Sequence, residues 1–218
     1  MGSNSQQHVM SRAPAHQAIV FVVDDDASIR DGMQFLLRSV ELSAETFASA
    51  DEFLDRYDEN QPGCLVLDIR MPGLGGLELQ ERLSALGSSM PIIFITGHAD
   101  VPMAVEAMQK GAFDFIQKPF RDQELLERIS EALAVDRWHR SEQENRSEVE
   151  ARLSKLTNRE REVMELVVKG KPNKIIAYEL GTSQRTVEIH RSRVMDKMQA
   201  RSLAELVRMS LQLQMSRD

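Results

Sequence analysis

The chain has 218 residues, of which 42% are hydrophobic and 28% charged, and its formal net charge is -7. This length is enough for one large domain or two small ones. The longest apolar run is far shorter than the roughly 18 residues that a membrane span needs. The N-terminus is polar and has no apolar signal core, so we expect a cytoplasmic protein without membrane association. The lone cysteine, Cys64, excludes an internal disulfide.

Charge is distributed unevenly along the chain. Residues 18–135 contain 9 Lys or Arg and 21 Asp or Glu, whereas residues 152–218 contain 14 basic and 8 acidic residues. A basic segment beside an acidic one suggests that only the second half meets a polyanion. Two solvated surfaces of opposite sign would give the same composition, so charge alone does not decide between these interpretations.

The first half alternates short apolar runs with amphipathic segments. It follows residues 1–17, which lack periodicity and are predicted to be disordered. The predicted strands are 19–23, 44–47, 64–67, 92–95 and 113–116, and the predicted helices are 27–40, 49–57, 77–86, 101–110 and 122–134. Short apolar strands that alternate with helices pair in parallel through right-handed crossovers. We therefore predict an α/β domain over 18–135, a doubly wound, five-stranded parallel sheet of the flavodoxin-like type.

The second half is predicted to be helical throughout. Residues 136–155 are charged and weakly patterned, which predicts an exposed helical or partly flexible linker. A short coiled coil with Trp138, Val149 and Leu153 in its seam is the alternative. Residues 156–218 are predicted to form an all-α domain of four helices. A short helix at 173–180, a turn that contains Gly181 and a longer helix at 183–198 are typical of a helix-turn-helix.

Polar residues follow four of the predicted strands at their carboxyl ends, where open α/β sheets bind ligands. They are Asp24 to Asp26 after the first strand, Asp68 after the third, Thr96 after the fourth and Lys118 after the fifth. Converging carboxylates repel one another and need a cation, and oxygen ligands in an open site favour Mg²⁺. A carboxylate can accept a phosphoryl group, while a lysine and a hydroxyl stabilise its oxygens. Any one of these residues alone would be interpreted as a solvated turn or a helix cap.

These residues carry a resemblance to a known family. The segments VVDDD at 22–26, LDIRMPG at 67–73, ITGHAD at 95–100 and DFIQKPF at 114–120 resemble the receiver domain of two-component response regulators. The segments LTNREREVMELV at 156–167, PNKIIAYELGTSQRTVEIHRSRVMDKM at 172–198 and SLAELVR at 202–208 resemble a LuxR-type helix-turn-helix. Together they are similar to the FixJ/NarL class of response regulators, the FixJ branch in particular.

The resemblance implies a role for each of the polar residues at the carboxyl ends of the strands, which we call the acidic edge. It implies that Asp68 is the phosphoacceptor, that Lys118 contacts the phosphoryl group, that the Lys118–Pro119 bond is cis, and that Mg²⁺ is held by Asp24, Asp25, Asp68 and the main-chain carbonyl of Arg70. Thr96 and Phe115 would form a switch pair, in which Thr96 moves toward a phosphoryl oxygen and Phe115 turns inward. Asp26 is interpreted as a helix cap.

The resemblance also implies partners. A sensor histidine kinase would supply the phosphoryl group, and the phosphorylated chain would form a homodimer that binds promoter DNA and acts with RNA polymerase. The dimer surface would include the helix at 101–110. The strand at 113–116 would complete this surface. We assign the dimer role to the outer face of the helix around Met103, Glu106 and Lys110, whereas Val101, Ala104, Val105 and Met108 are expected in the core.

The longer helix of the helix-turn-helix has two distinct faces at 100° per residue. Val187, Val194 and Met198 share one face, which is predicted to pack in the core. Glu188, Ile189, Ser192 and Arg193 lie opposite and are predicted to read base edges, whereas the neighbouring Asp196 is expected only to solvate the surface. Phosphate contacts are predicted at helix ends or flanks for Lys174, Arg185, Thr186, Arg191 and Lys197.

We therefore predict a phosphorylation-activated transcriptional regulator and not an enzyme. One alternative is an aspartate-nucleophile phosphohydrolase. Arg70 argues against it, since phosphatases of the haloacid-dehalogenase type have a second Asp two residues after the nucleophile. The other alternative is a constitutive DNA-binding protein whose receiver serves only for interactions.

Overall fold

The computed structural model describes residues 17–97 and 101–214. The predicted disorder of residues 1–17 thus concerns a segment that, apart from Gln17, lies outside the described residues. The described chain divides into two compact units between Arg140 and Ser141. Each helix in the described ranges is too short or too polar to span a lipid bilayer.

The first unit has the predicted α/β architecture. Its elements are β1 (Ile19–Val23), α1 (Ala27–Ser39), β2 (Ser43–Phe47), α2 (Ala50–Arg56), β3 (Gly63–Asp68), α3 (Gly76–Ala85), β4 (Ile92–Thr96), α4 (Val101–Gln109), β5 (Asp114–Gln117) and the start of α5 (Asp122–Ser154). All neighbouring strands pair in parallel, in the order β2-β1-β3-β4-β5. The sequence predicted these strands because they are short, apolar and separated by amphipathic segments.

Helices cover both faces of this sheet. Successive strand residues point to opposite faces, so Val20 and Val22 pack in one layer with α1 and α5. Phe21 and Val23 pack in the other layer with α2, α3 and α4. Because both faces are buried, ligands can reach the sheet only at its edges, and the carboxyl ends of β1, β3, β4 and β5 meet at one such edge.

Helix α4 is rotated relative to the sequence prediction. Val105 and Met108, which were expected in the core, are 49% and 40% exposed. Met103, which was expected on the outer face, packs partly against the core. Ala104 is buried, as expected, and Ala107 is buried beside it, because small side chains let the helix approach the sheet closely. Apolar residues surround most of this helix, so their spacing does not identify the inner face; the side chain of Val101 lies outside the described residues.

Helix α5 continues far beyond the predicted end at residue 134 and includes nearly all of the predicted linker. The side chain of Asp136 is buried and accepts the backbone N–H of Gly63 at 3.0 Å. The guanidinium of Arg140 donates to Asp136 and to the carbonyls of three residues before β3, namely Glu59, Asn60 and Gln61. These bonds hold the helix on the first unit for six residues after Ala134.

The later part of α5 contributes to the second unit. Val149 is buried and Leu153 is partly buried in the core of that unit, whereas Trp138 is 62% exposed. Of the three residues in the coiled-coil alternative, Val149 and Leu153 therefore pack within the second unit and Trp138 is exposed.

The second unit contains the four predicted helices. They are α6 (Asn158–Val168), α7 (Asn173–Glu179), α8 (Gln184–Met198) and α9 (Leu203–Gln214). Thr157 and Glu160 form a capping box at the start of α6. Gly181 lies between α7 and α8 with a φ of 60°, a backbone conformation that glycine adopts without steric cost. The helix-turn-helix at α7 and α8 is confirmed.

Candidate phosphoacceptor site and nucleic-acid interface

Two carboxylates lie at the carboxyl ends of adjacent strands. Asp24 follows β1 and Asp68 ends β3, and these strands pair with Val23 beside Leu67. Asp24 is 2% exposed and Asp68 is 8% exposed. Burial of a charged group is costly unless it is paired and hydrogen-bonded, so both carboxylates require partners.

Lys118 supplies the shared partner from the end of β5. Its Nζ donates to Asp24 Oδ2 at 2.8 Å and to Asp68 Oδ1 at 2.7 Å. The backbone N–H of Lys118 donates to the Thr96 carbonyl at 2.7 Å, and the Lys118–Pro119 bond is cis, as expected. The amine therefore brings the ends of β1, β3 and β5 together at one point.

Backbone donors fix the second oxygen of each carboxylate. Asp24 Oδ1 accepts the N–H of Asp26 at 2.9 Å, and Asp68 Oδ2 accepts the N–H of Arg70 at 2.8 Å. Asp26 itself caps α1, because its side chain accepts the N–H of Ser28. The interpretation of Asp26 as a helix cap is confirmed.

The electrostatics of the edge are set by burial and by this shared amine. Burial raises the pKa of the Asp68 carboxyl above its ordinary value, although the hydrogen bond from Lys118 opposes the change. Burial alone would lower the pKa of Lys118, but its bonds to Asp24 and Asp68 outweigh burial and raise it. The lysine therefore stays protonated and compensates part of the negative charge.

Two residues that sequence reasoning missed support this edge. Arg30, on α1, donates to the main-chain carbonyl of Asp24 at 2.6 Å. Gly76 begins α3 beside β3, and a Cβ there would collide with the Asp68 carbonyl oxygen. The glycine thus lets α3 start next to the carboxyl end of β3. The glycine-rich loop at 73–76 was a sequence signal for such an approach, whereas no pattern indicated the contact of Arg30.

Helix α8 has the two faces that its sequence predicts. Val187, Val194 and Met198 are buried in the core of the second unit. The residues expected on the opposite face are all exposed, namely Glu188, Ile189, Ser192, Arg193 and Asp196. This exposed strip includes hydrogen-bond donors, acceptors and an apolar side chain, which can contact base edges in a major groove.

The residues predicted to contact phosphates differ in their surroundings. Lys174 and Arg185 are exposed and Thr186 is half-buried beside the α8 cap residue Ser183. Arg191 donates to Asn173 Oδ1 at 2.7 Å, and Lys197 donates to Glu160 Oε2 at 2.6 Å. Lys174 and Arg185 are thus exposed, whereas the side chains of Thr186, Arg191 and Lys197 bond within the unit.

Comparisons with known families agree with the geometry of the acidic edge and with that of the helix-turn-helix. Residues 20–130 match the family model of the response regulator receiver domain, and residues 154–210 match that of bacterial regulatory proteins of the luxR family. The chain belongs to the two-component response regulators. As a response regulator, it combines a receiver domain with a LuxR-type DNA-binding domain.

Relatives of this response regulator match it over most of their length. The nodulation protein W of Bradyrhizobium diazoefficiens is 50% identical over 89% of this chain and 86% of its own. The transcriptional regulatory protein FixJ of Azorhizobium caulinodans is 48% identical over 88% of this chain and 91% of its own. The solved structure of the response regulator StyR is 47% identical, with a TM-score of 0.82, and covers 89% of this chain and 98% of its own. These findings confirm the resemblance to the FixJ branch and the fold class.

The donor set of the response regulator fits a hard divalent cation. Asp24 and Asp68 approach a single point through Lys118, Asp25 is exposed at the same edge, and all available ligands are oxygens, as Mg²⁺ prefers. Within the part of the chain that the structure describes, however, no three Asp, Glu, His or Cys side chains form a metal cluster. The amine of Lys118 contacts both buried carboxylates, and Asp25 is exposed.

The predicted switch residues lie on neighbouring strands. Thr96 is buried at the end of β4, with its hydroxyl 3.4 Å from the Gly97 carbonyl. Phe115 on β5 is 39% exposed and pairs in register with Phe94. The structure therefore has Phe115 in an outward position, and residues 98–100 between the two lie outside the described residues.

Proposed function

We propose that Asp68 accepts a phosphoryl group and that this event controls the binding of promoter DNA by the second unit. The observation that supports this proposal is the buried pair of carboxylates that share the Lys118 amine. A carboxylate oxygen of Asp68 attacks the phosphorus of a phosphohistidine on a sensor kinase. The bond from phosphorus to the imidazole nitrogen breaks as the bond to oxygen forms, and Lys118 compensates charge on the transferred oxygens.

The proposed Mg²⁺ ligands are Asp24, Asp25, Asp68 and the main-chain carbonyl of Arg70. When bound, the cation neutralises negative charge at the edge and orients the phosphoryl group. Asp24 and Asp68 hold their positions through backbone N–H groups, so the protein provides these two oxygens before the donor arrives.

The first prediction tests the phosphoacceptor. Replacement Asp68→Asn removes the nucleophilic oxygen and should abolish covalent label from a radioactive small-molecule phosphodonor such as acetyl phosphate. Asp26→Asn is the matched control, because Asp26 follows the same strand but caps α1, and it should keep the label. Label at full stoichiometry in Asp68→Asn would reassign the acceptor, and repeated turnover of phosphate esters by the unaltered chain would favour the phosphohydrolase.

For the second unit we propose that α8 enters the major groove. Glu188, Ile189, Ser192 and Arg193 then contact bases: arginine and serine donate to base edges, glutamate accepts from cytosine, and isoleucine contacts a thymine methyl. Lys174, Arg185, Thr186 and Arg191 are proposed to contact phosphates at the flanks of this surface. The proposed function requires the compartment that holds the chromosome, which in a bacterial cell is the cytoplasm.

The second prediction separates base readers from phosphate contacts. Ser192→Ala or Arg193→Ala should reduce discrimination between a selected site and random duplex by about 1–3 kcal/mol for each lost base contact. Lys174→Ala should instead weaken both duplexes alike. Binding isotherms by fluorescence anisotropy measure both effects, and equal losses on the two duplexes for all three variants would remove the base-reading assignment.

We further propose that phosphorylation promotes homodimerisation. One small DNA-binding module binds weakly, and a dimer doubles the interface by occupying two half-sites. Movement of Thr96 toward a phosphoryl oxygen and inward rotation of Phe115 would change the surface that α4 and β5 form. Val105 and Met108 are exposed on α4 and are the proposed apolar contacts of the dimer, and the bound dimer is proposed to act with RNA polymerase.

A further inference from the structure

The second unit buries one carboxylate in the first turn of α6. Glu160 is 2% exposed, and its Oε2 accepts the N–H of Thr157 at 2.8 Å and the Nζ of Lys197 at 2.6 Å. The Thr157 hydroxyl in turn accepts the N–H of Glu160 at 3.3 Å. The capping box therefore orients the carboxylate, and the positive charge that compensates it comes from the last turn of α8.

A second ion pair of the same unit provides a direct comparison. Lys171 also lies 2.6 Å from a carboxylate, that of Glu179, and its side chain is 35% exposed, as is that of Lys197. The carboxylates differ, because the side chain of Glu179 is 35% exposed and that of Glu160 is 3% exposed. Exposed ion pairs contribute little to stability, whereas removal of one partner from a buried pair leaves an uncompensated charge.

The burial of Glu160 makes its ion pair with Lys197 important for the position of α8. Lys197 connects the end of α8 to the start of α6, and Arg191, in the middle of α8, bonds to Asn173 at the start of α7. If Lys197 moved its amine to a DNA phosphate, the buried carboxylate would lose its cation. The geometry therefore favours a structural contact for Lys197 and leaves phosphate binding to exposed cations such as Lys174.

We propose that Glu160 and Lys197 are a positioning pair that fixes the carboxyl-terminal end of α8 against α6, and that Lys197 does not contact DNA phosphate. This proposal rests on the proposed function, in which α8 binds duplex DNA. It replaces the phosphate contact that the position of Lys197 in the sequence predicted.

The test compares four variants of the full chain. Lys197→Met removes the cation, and Lys197→Met with Glu160→Gln removes both charges while keeping the capping-box acceptor. Lys171→Met is the matched control for an exposed pair, and Lys174→Met is the control for a phosphate contact. Hydrogen exchange of peptides from α6 and α8 measures positioning, and the salt dependence of binding to a random 40-base-pair duplex, with beryllofluoride and Mg²⁺ present, counts phosphate contacts.

The pair predicts a different result for each variant. Lys197→Met should speed exchange in α6 and α8 by about a hundredfold or more, and Lys171→Met by less than about fivefold. The double variant should return exchange to within about fivefold of the unaltered chain, since no charge is then left buried. The salt slope is the change in the logarithm of the DNA-binding constant with the logarithm of the salt concentration. The double variant should keep this slope, whereas Lys174→Met should reduce its magnitude by about one.

Two outcomes would overturn the proposal. One is a salt slope in the double variant that is lower by about one, which is the loss of a phosphate contact. The other is exchange in Lys197→Met no faster than in Lys171→Met. Should the unaltered chain show no salt-dependent binding to the duplex, the proposed DNA function fails, and the exchange data still decide whether the pair positions α8.

A measurement on the unaltered chain covers the case in which the double variant does not fold. An amine-reactive acylating reagent, applied with and without duplex and followed by peptide mass spectrometry, reports the accessibility of each lysine. Lys174 should be labelled rapidly and be protected by the duplex, whereas Lys197 should be labelled slowly with or without it. Rapid labelling of Lys197 that the duplex suppresses would contradict the positioning role.

Discussion

At the scale of single residues, Lys118 determines how the acidic edge can exist before any cation binds. Two nearly buried carboxylates at the ends of adjacent strands would repel each other strongly in a medium of low dielectric constant. The amine lies within 2.8 Å of both and compensates this repulsion. The same amine is then already beside Asp68, where the proposed transfer of a phosphoryl group would increase the negative charge.

A pH prediction belongs to Glu160, whose carboxylate is buried in the second unit. Its bond from Lys197, together with the N–H of Thr157, lowers the pKa of Glu160 from 4.5 to about 2. A folded-state pKa below the unfolded value stabilises the folded state above the unfolded pKa. This contribution should therefore be complete above about pH 4.5 and be lost as the pH falls toward 2.

Acid titration followed by hydrogen exchange in α6 checks this prediction. The unaltered chain should lose protection between about pH 4.5 and 2 by more than the Glu160→Gln variant, which lacks the titrating group. Equal losses in the two proteins over this range would show that the carboxylate contributes no pH-dependent stability.

The sequence alone predicted the site residues that directly follow strands. It did not predict the contacts that depend on residues far apart in the chain. Asp24, Asp68 and Lys118 were predicted together because parallel strands bring their carboxyl ends to one edge. The burial of Glu160 and the contact of Arg30 with the Asp24 carbonyl depend on side-chain conformations that no local pattern encodes. Charged residues on amphipathic helices are ordinarily interpreted as solvated, so neither Glu160 nor Arg30 was predicted to make these contacts.

At the scale of secondary structure, α5 shows how a few long-range bonds extend an element. Its charged sequence after Ala134 predicted a separate linker, yet Asp136 and Arg140 bond to the backbone just before β3. Beyond them, pairs four residues apart, such as Arg146 with Glu150, support the exposed part of the helix. The sequence predicted helical character correctly, but it could not show where the helix was anchored.

A prediction at this scale concerns the anchor of α5. Arg140→Met removes the donor to three carbonyls and leaves the Asp136 carboxylate without its cation, so local stability should fall by about 2–4 kcal/mol. Hydrogen exchange of peptides spanning 59–67 and 131–140 in the full chain measures this change. Arg137→Met, an exposed change one turn away on the same helix, should alter it by less than about 0.5 kcal/mol. Equal effects of the two changes would contradict the anchoring role of Arg140.

Helix α4 shows the opposite difficulty. Hydrophobic residues occupy almost every position of this helix. The helix therefore has no distinct polar face, and the spacing of its apolar residues does not show which side is buried. The structure resolves the ambiguity through Ala104 and Ala107, which face the sheet and leave Val105 and Met108 exposed. The proposed dimer depends on this exposed, apolar face of α4.

At the scale of the whole molecule, the two units have opposite charge and distinct chemistry. The acidic unit contains the proposed phosphoacceptor edge, and the basic unit contains the LuxR-type DNA-binding domain. The sequence predicted this division from charge and motifs together. What it could not supply is the energetic coupling between the two activities, which typically amounts to about 1–3 kcal/mol between linked sites.

The most direct test measures that coupling. A duplex enriched from a random library by the full chain is titrated with the unaltered protein and with Asp68→Asn, each with and without beryllofluoride and Mg²⁺. The proposed function predicts that the phosphoryl analogue tightens binding of the unaltered protein by about tenfold or more and leaves Asp68→Asn unchanged. Equal affinity of the unaltered protein with and without the analogue would contradict control by phosphorylation and identify a constitutive DNA-binding protein.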